Sequence, residues 1–484
     1  MGEPVKPRSA SYDFLWLSLV LFVVLVVSFL LPLQPQDYWW YLRIGKDTLS
    51  SGALPRVDTL TFTRAGARVF YQSWLSAVIL WLTFKAGGLT LTFLLRGVLM
   101  TLAYGGLWGM MRKAGAETKL ASLLTVVLAL SSSNNWMVRP QMFAYPLFML
   151  SLWIMWRWQH GSRNAVWFLP PITLLWVNLH GSFTLVFILA LSGLVFGKGD
   201  RKRLGLALVL CLAVSLINPY GAGGWSYVLA MLSNPSNRLF SNEWRPPVNA
   251  GWQMNLFYLW LLAFAPLAAF SPRRLSLLEW IWFIAFGWLA LSGLRYVIWF
   301  VFVMGLLTAL LLSHLSPLIV SAESTPHNKA INIILGGIFI FATLAALPGL
   351  REKWWPQAPS PYGVSTPVAA TEWLASHPGL RGELFSNFGF SSYLEYTLPA
   401  RRVWIDTRFE LYPVAQWQTY IQIATASKGW SDVLKADHIN LLMLSTDGES
   451  ALITALRDSG AWCQPFADDT STIFVRRTAD GSCP

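Results

Sequence analysis

The feature that most constrains this chain is a series of apolar runs that are too long for a globular core. Residues 14–33, 89–111 and 331–347 each approach the roughly 20 residues with which a helix spans a bilayer. Because the runs are continuous, they predict helices, whereas a transmembrane barrel would show short alternating segments. Charged residues make up only 12% of the 484 positions. The sequence therefore predicts an all-α polytopic membrane domain.

The distribution of charge predicts how this domain is oriented. Residues 1–348 contain 25 Lys and Arg against 10 Asp and Glu, whereas residues 349–484 contain 11 against 14. The basic excess lies mostly in short loops between apolar runs, which is typical of cytoplasmic loops and disfavours nucleic-acid binding. With Lys6 and Arg8 as a cytoplasmic start, residues 34–73 and 218–255 become large external loops. Residues 74–83 are either a further span or an interfacial piece, and charge parity favours the second, with about eleven spans in total.

The composition changes after residue 348. Residues 349–365 are rich in Pro and aromatic side chains and predict a juxtamembrane linker. Residues 366–484 then predict a C-terminal α/β domain, which loop parity makes extracytoplasmic. The helical patterns are 366–376, 414–425 and 449–459, and the β-rich runs are 402–405, 441–444 and 472–475.

Two groups of residues in this predicted domain carry structural expectations. Cys463 and Cys483 can pair if the domain lies outside the cell, although their spacing does not require it. Asp406, Arg408 and Glu410 alternate along a predicted strand and would therefore face the same side. They predict either a surface ion-pair ladder or a contact with an acceptor or with the membrane domain.

Asp37 is the first candidate for chemistry. It follows the first apolar run and precedes four aromatic residues, at positions 38–41, which places a carboxylate at the membrane interface. A carboxylate there can accept a proton from an attacking hydroxyl group. The alternative is an aromatic anchoring belt beside a solvated acid.

Several stretches around Asp37 and in the other external segments share a family pattern. They are DYWWYLRIG at 37–45, GALPRVDTLTFT at 52–63, WL at 74–75, VRPQ at 138–141, WVNLHGS at 176–182, NPYG at 218–221, EW at 243–244, LFSNFG at 384–389 and IDTRFELY at 405–412. Together they resemble bacterial integral membrane proteins of the GT-C glycosyltransferase superfamily, over most of the chain. The resemblance implies an inverting transferase of the cell envelope, in the bacterial cytoplasmic membrane. Such an enzyme moves a sugar from a polyprenyl-phosphate carrier to a lipid, glycan or protein acceptor on the extracytoplasmic side.

In that superfamily an acidic residue of the first external loop is the base or the acceptor-orienting group, and Asp37 matches this position. Two departures from the pattern concern this loop. Asp37 has no adjacent acid, and Tyr41 stands where the subgroup often has His. Both leave open whether a divalent metal is used, and Tyr41 is a candidate substrate-binding residue.

Arg139 and Arg295 are the candidate ligands of the donor phosphate, because a carrier phosphate at headgroup depth needs cations at the outer ends of helices. The alternatives are contact with lipid headgroups or an ion pair with an acid such as Glu243. Glu243 and Trp244 combine a carboxylate and an indole, which suit a sugar ring. Their loop is rich in Pro, so a rigid cover is the stronger alternative there.

His180 and Asn178 complete the predicted substrate contacts. A His between two apolar runs can hydrogen-bond an acceptor sugar or relay a proton, whereas the structural alternative is a turn in which Asn178 caps the next helix. Two rival functions stay open: a flippase or transporter of lipid-linked glycans, and a non-catalytic envelope assembly protein.

Overall fold

The computed structural model describes residues 10–315 and 328–484, so Lys6 and Arg8 lie outside the described residues. The chain forms two compact units. The first unit comprises the described parts of residues 1–31, 86–224 and 243–359. The second comprises residues 32–85, 225–242 and 360–484.

Long apolar helices build the first unit. Its helices are α1 (Ala10–Leu30), the second part of α3 (Trp74–Lys113), α4 (Thr118–Ser131), α5 (Gln141–Gln159), α6 (Leu169–Leu179), α7 (Thr184–Phe196), α8 (Arg201–Ser215), α11 (Gly251–Phe270), α12 (Leu277–Ser292), α13 (Val297–Ser313), α14 (Lys329–Ala345) and the short α15 (Arg351–Trp354). Polar residues mark where some of them begin. The Ser276 side chain accepts from the Glu279 backbone N–H at the start of α12, and the Glu279 carboxylate accepts from the Ser276 N–H in return.

Four of the described helices are long and apolar enough to cross a membrane: the segments Asp13–Leu30, Trp74–Lys113, Gly251–Phe270 and Leu294–Ser313. Five shorter apolar helices of 10–17 residues accompany them. The helical, membrane-type architecture is thereby confirmed, whereas the eleven spans and the orientation stay predictions.

The helix that contains the uncertain residues 74–83 is kinked. Within α3, Gly87 and Gly88 leave helical geometry, and Gly88 has φ +58° and ψ −147°, a region that glycine reaches without the steric cost that a Cβ would impose. The segment before the kink belongs to the second unit and the segment after it to the first. Residues 74–86 are thus a helical piece separate from the run at 89–111.

A small sheet organises the second unit. Its strands are β1 (Glu383–Ser386), β2 (Ile439–Ser445), β3 (Trp462–Ala467) and β4 (Ser471–Arg476), in the order β1-β2-β4-β3. β1 runs parallel to β2, and the other pairs are antiparallel. Leu442 pairs with Phe385 on one side and with Phe474 on the other, and all three are buried in one hydrophobic cluster. The helices are α2 (Tyr38–Ser51), the first part of α3, α9 (Gly223–Ser233), α10 (Pro235–Phe240), α16 (Val368–Ser376), α17 (Phe388–Thr397), α18 (Val414–Ala424), α19 (Trp430–Ala436) and α20 (Ser450–Asp458).

The predicted α/β character of the C-terminal segment is confirmed for most elements. The helical patterns at 366–376, 414–425 and 449–459 and the β runs at 441–444 and 472–475 all form as predicted. The β run predicted at 402–405 and the strand predicted to carry Asp406, Arg408 and Glu410 are wrong, because in this stretch only Val403 makes isolated bridges, to Thr61 and Leu384. Cys463 and Cys483 form a disulfide.

Candidate functional site

An ion pair joins two of the predicted site residues in the first unit. Arg139 lies just before α5, and Glu243 lies in a short 3-10 turn, Asn242–Trp244. The Arg139 Nη1 group donates to both carboxylate oxygens of Glu243, at 2.7 and 2.8 Å. The structure therefore shows the pairing that the sequence allowed as an alternative to phosphate contact.

The second predicted arginine lies beside the same turn. The Arg295 guanidinium group lies over the Trp244 ring, 4.5 Å from its centroid, which is a cation–π contact. The Gln141 amide donates to the Arg295 carbonyl at 3.2 Å, and the Tyr296 ring meets Trp244 edge-on at 6.1 Å. Gln141 and Tyr296 are site residues that sequence reasoning missed, although Gln141 stands in the VRPQ stretch.

Arg139, Arg295, Glu243 and Trp244 form one group, and the charges of its members affect one another. Burial alone would raise the pKa of Glu243, but the guanidinium groups of Arg139 and Arg295 hold that pKa below its usual value. Glu243 is therefore ionised at neutral pH. Two guanidinium groups against one carboxylate leave the group with one net positive charge, which favours an anionic ligand.

His180 lies in the same electrostatic environment, within range of Arg295 and Arg139. It links α6 to the 3-10 turn Gly181–Phe183, where its Nδ1 atom accepts from the Ser182 backbone N–H at 3.1 Å. In the neutral ring the Nε2 atom then carries the proton and is a hydrogen-bond donor. The ring can thus donate to a phosphate or sugar oxygen.

Asn178 has a different role from the helix cap that the sequence offered as the structural alternative. It lies in the last turn of α6, and its amide donates to the Leu174 and Ile217 carbonyls at 2.9 and 3.0 Å. The side chain that caps the next turn is His180. Of the two alternatives for this stretch, the structural one holds in a changed form, with His180 and not Asn178 as the capping residue.

Asp37 and Tyr41 lie in the second unit, at the start of α2. Asp37 occupies the position before the first helical residue and is half-buried. The Tyr41 ring stacks on the Trp40 ring, with centroids 3.7 Å apart. An acid at the start of a helix is a favourable position for a carboxylate, because the helix dipole stabilises its charge.

A buried charge cluster in the second unit was missed by sequence reasoning. The Arg408 Nη2 group contacts Asp58 Oδ1 at 2.7 Å, and its Nε group donates to Asp406 Oδ2 at 2.9 Å. Its Nη1 group donates to the Tyr71 hydroxyl at 3.0 Å. Asp58, Asp406 and Arg408 are all less than 5% exposed. The predicted surface ion-pair ladder is therefore wrong, because Asp406 and Arg408 bind each other inside the unit instead of alternating along a strand.

Glu395 adds a further buried carboxyl group to this cluster. Burial and the nearby Asp406 carboxylate raise the pKa of Glu395 well above its usual value, although Arg408 opposes the shift. The pKa of Asp406 is lowered: burial acts against this, and the Arg408 guanidinium group overcomes it. Glu395 therefore keeps its proton to a higher pH than Asp406 does.

No protein-family model matches the sequence, and no curated protein is significantly similar to it. Solved structures are similar. The oligosaccharyltransferase AglB of Archaeoglobus fulgidus, in complex with an inhibitory peptide and a dolichol-phosphate, aligns with 97% of this chain and 75% of its own, at 12% identity and a TM-score of 0.53. ArnT of Cupriavidus metallidurans, bound to undecaprenyl phosphate, aligns over 99% of this chain and 100% of its own, at 15% identity and 0.52.

The arabinofuranosyltransferase AftD from mycobacteria aligns with 95% of this chain and 41% of its own, at 15% identity and a TM-score of 0.54. These three proteins are GT-C glycosyltransferases. The GT-C-like fold that the sequence motifs predicted is thereby confirmed. Together with the apolar helices, it supports an integral membrane protein.

Proposed function

We propose that this protein is a membrane glycosyltransferase that moves a sugar from a polyprenyl-phosphate carrier to a lipid, glycan or protein acceptor. The observation that carries the proposal is the group around Glu243 in the first unit. Arg139 and Arg295, from distant parts of the chain, are gathered there with one carboxylate and one indole. The GT-C-like fold supports the same reaction class.

The charge of this group suits the proposed donor. A polyprenyl-phosphate sugar is a phosphodiester with one negative charge, and the group carries one net positive charge at neutral pH. When the sugar leaves, the carrier phosphate gains a second negative charge. Guanidinium groups stabilise that developing charge through charge-assisted hydrogen bonds.

Asp37 is proposed as the general base of the reaction. The acceptor hydroxyl oxygen forms a bond to the anomeric carbon while the bond from that carbon to the phosphate oxygen breaks. Asp37 takes the hydroxyl proton, and the phosphate leaves with the electron pair, so the anomeric carbon inverts. Tyr41 and His180 are proposed to hold sugar hydroxyl groups, as are Glu243 and Trp244.

The proposed location is the extracytoplasmic side of the bacterial cytoplasmic membrane. The disulfide between Cys463 and Cys483 supports it, because disulfides persist in oxidising compartments. We also propose Asn178, two residues before His180, as a substrate contact. For a possible divalent metal, the described ranges 10–315 and 328–484 contain no group of three or more His, Cys, Asp or Glu placed to share an ion.

The deciding experiment compares Asp37→Asn with Asp47→Asn in lipid nanodiscs. Asp47 lies on the same helix and pairs with Arg43 at 2.8 Å, so its variant is a matched control. With undecaprenyl-phosphate sugars as donors, we expect Asp37→Asn to lower turnover by about 10²–10⁴-fold while undecaprenyl phosphate still binds. Asp47→Asn should keep turnover.

Two outcomes would contradict the proposal. One is unchanged sugar transfer in Asp37→Asn. The other is movement of the glycan-linked carrier across the bilayer of sealed vesicles with no sugar released, which would favour a flippase.

A further inference from the structure

The start of α2 departs from the usual geometry of a helix that follows an aspartate. An Asp at the N-cap normally has extended backbone angles, and its carboxylate accepts the N–H of the second or third helical residue. Asp37 instead has helical angles, φ −54° and ψ −30°, and its side chain makes no capping bond. Another group must therefore satisfy the N–H groups of this first turn.

Ser392 supplies one such acceptor. The backbone N–H of Trp40, the third helical residue, donates to the Ser392 Oγ atom at 3.0 Å. Ser392 lies on α17 and is fully buried. A serine from a distant helix thus occupies the place that an N-capping aspartate would take.

A second bond fixes the same turn from another direction. The Trp40 indole N–H donates to Thr407 Oγ1 at 3.2 Å. Thr407 stands between Asp406 and Arg408, which the buried charge cluster holds in place. One turn further along α2, the Arg43 guanidinium group donates to the Glu395 carbonyl at 3.2 Å. The first two turns of α2 are therefore tied to α17 and to the 406–408 turn.

We propose that Ser392 is a positioning residue that caps α2 in place of Asp37 and so keeps the Asp37 carboxylate out of the capping bond. This rests on the proposed role of Asp37 as the base. A carboxylate that accepts backbone N–H bonds is stabilised in its charged form and has a lower pKa, which makes it a weaker base. Without the Ser392 hydroxyl, the Trp40 N–H needs a new acceptor. Asp37 is at the N-cap position, three residues before Trp40, and Asp is among the preferred capping residues.

The test uses three variants of the full-length protein in nanodiscs. Ser392→Ala removes the acceptor, and Ser392→Thr retains a hydroxyl group. Ser391→Ala is the matched control, because Ser391 is equally buried on the same helix but bonds Ser386 at 2.9 Å. The assays are sugar transfer over a range of pH and NMR titration of aspartate carboxyl groups labelled with ¹³C, with the Asp37 signal assigned by its loss in Asp37→Asn.

For Ser392→Ala we expect kcat to fall about tenfold with KM unchanged, and the acid limb of the pH profile to move down by about one pH unit. The Asp37 carboxyl titration should move down by the same amount. Ser392→Thr should restore both values, and Ser391→Ala should leave both unchanged. In the Asp37→Asn background, Ser392→Ala should have no further effect on the residual rate.

The outcomes separate the two proposals. If Asp37 titrates identically in wild type and Ser392→Ala, or if Ser391→Ala shifts the pH profile as much, the positioning role is overturned. If Asp37→Asn keeps full sugar transfer while the titration shift occurs, the proposed function fails although the exchange of capping groups is real.

Discussion

The Arg139–Glu243 pair leads to a prediction with an unusual sign, that removing a charged site residue strengthens binding. Both carboxylate oxygens of Glu243 accept hydrogen bonds from the Arg139 Nη1 group. A carrier phosphate that takes over this donor must first displace Glu243. We therefore expect Glu243→Gln to bind undecaprenyl phosphate more tightly than the wild-type protein does.

The magnitude follows from the burial of the pair. The side chains of Arg139 and Glu243 are 11% and 24% exposed, which lies between the surface and the interior cases. Exposed pairs contribute about 0–1 kcal/mol, and removing one partner of a buried pair costs about 3–5 kcal/mol, so we expect about 1.5–3 kcal/mol here. This corresponds to roughly a 10- to 150-fold lower Kd for the carrier phosphate.

The assay is thermal unfolding in nanodiscs at increasing undecaprenyl phosphate, because a ligand that binds the folded state raises Tm by an amount that grows with the logarithm of its concentration divided by Kd. Without ligand, Glu243→Gln should unfold at a lower temperature than wild type, since it leaves Arg139 without its counterion. With ligand, its Tm should begin to rise at a lower concentration of undecaprenyl phosphate, and the rise at any given concentration should be larger than in wild type. The sugar-linked donor should lose part of this gain if Glu243 also holds a sugar hydroxyl group.

Glu279→Gln is the matched control. Glu279 pairs with Arg273 at 3.1 Å in the same unit, so its loss should destabilise the fold without changing phosphate affinity. In a Glu243→Gln background, Arg139→Met should abolish the gain. Equal or weaker carrier binding by Glu243→Gln would refute the reasoning that phosphate and Glu243 compete for Arg139.

Three further predictions concern the second unit. Arg408→Met should lower its free energy of unfolding by about 3–5 kcal/mol, because buried carboxylates lose their counterion; a denaturant titration that shows less than 1 kcal/mol would contradict this. Glu395 has a raised pKa in the folded state, so the wild-type protein should lose stability as pH rises above the unfolded pKa of this group, about 4.3. Glu395→Gln should remove that loss. Parallel curves of Tm against pH for wild type and Glu395→Gln between pH 5 and 8 would contradict this prediction. Cys463→Ser should lower the free energy of unfolding by about 3 kcal/mol. In the wild type, Cys463 and Cys483 should not react with maleimide until the disulfide is reduced, which labelling of intact cells followed by mass spectrometry of the protein can check.

The sequence predicted what depends on local pattern. Continuous apolar runs predicted the helices of the first unit, and β2 and β4 followed from runs of apolar residues at 441–444 and 472–475. The polar residues at 406–410 led to a wrong prediction. An alternating pattern of charged residues in the sequence looks the same whether the side chains face water or bind one another inside the protein. Inside the unit, Arg408 also forms an ion pair with Asp58, which lies in another segment of the chain. A single sequence carries no signal for such a contact.

The residues of the candidate site also divide into those that local sequence pattern could predict and those that it could not. Arg139, Arg295 and Glu243 could be selected because charged residues next to apolar runs are few. The ion pair of Arg139 and Glu243 joins residues 104 positions apart. The sequence could give this pairing only as one of several alternatives. Ser392 could not have been found at all, since a buried serine in a helix has no distinguishing pattern until its partner, the Trp40 N–H, is known.

The assembly of the second unit from three separate segments has a consequence for biosynthesis. Asp58 leaves the ribosome about 350 residues before Arg408, which at 5–20 residues per second is a delay on the order of tens of seconds. During that interval Asp58 lacks the guanidinium group that it pairs with in the folded unit. Completion of this unit is therefore a late step of maturation, and a chain interrupted before residue 408 would leave the segment at 32–85 unfinished and open to quality-control proteases.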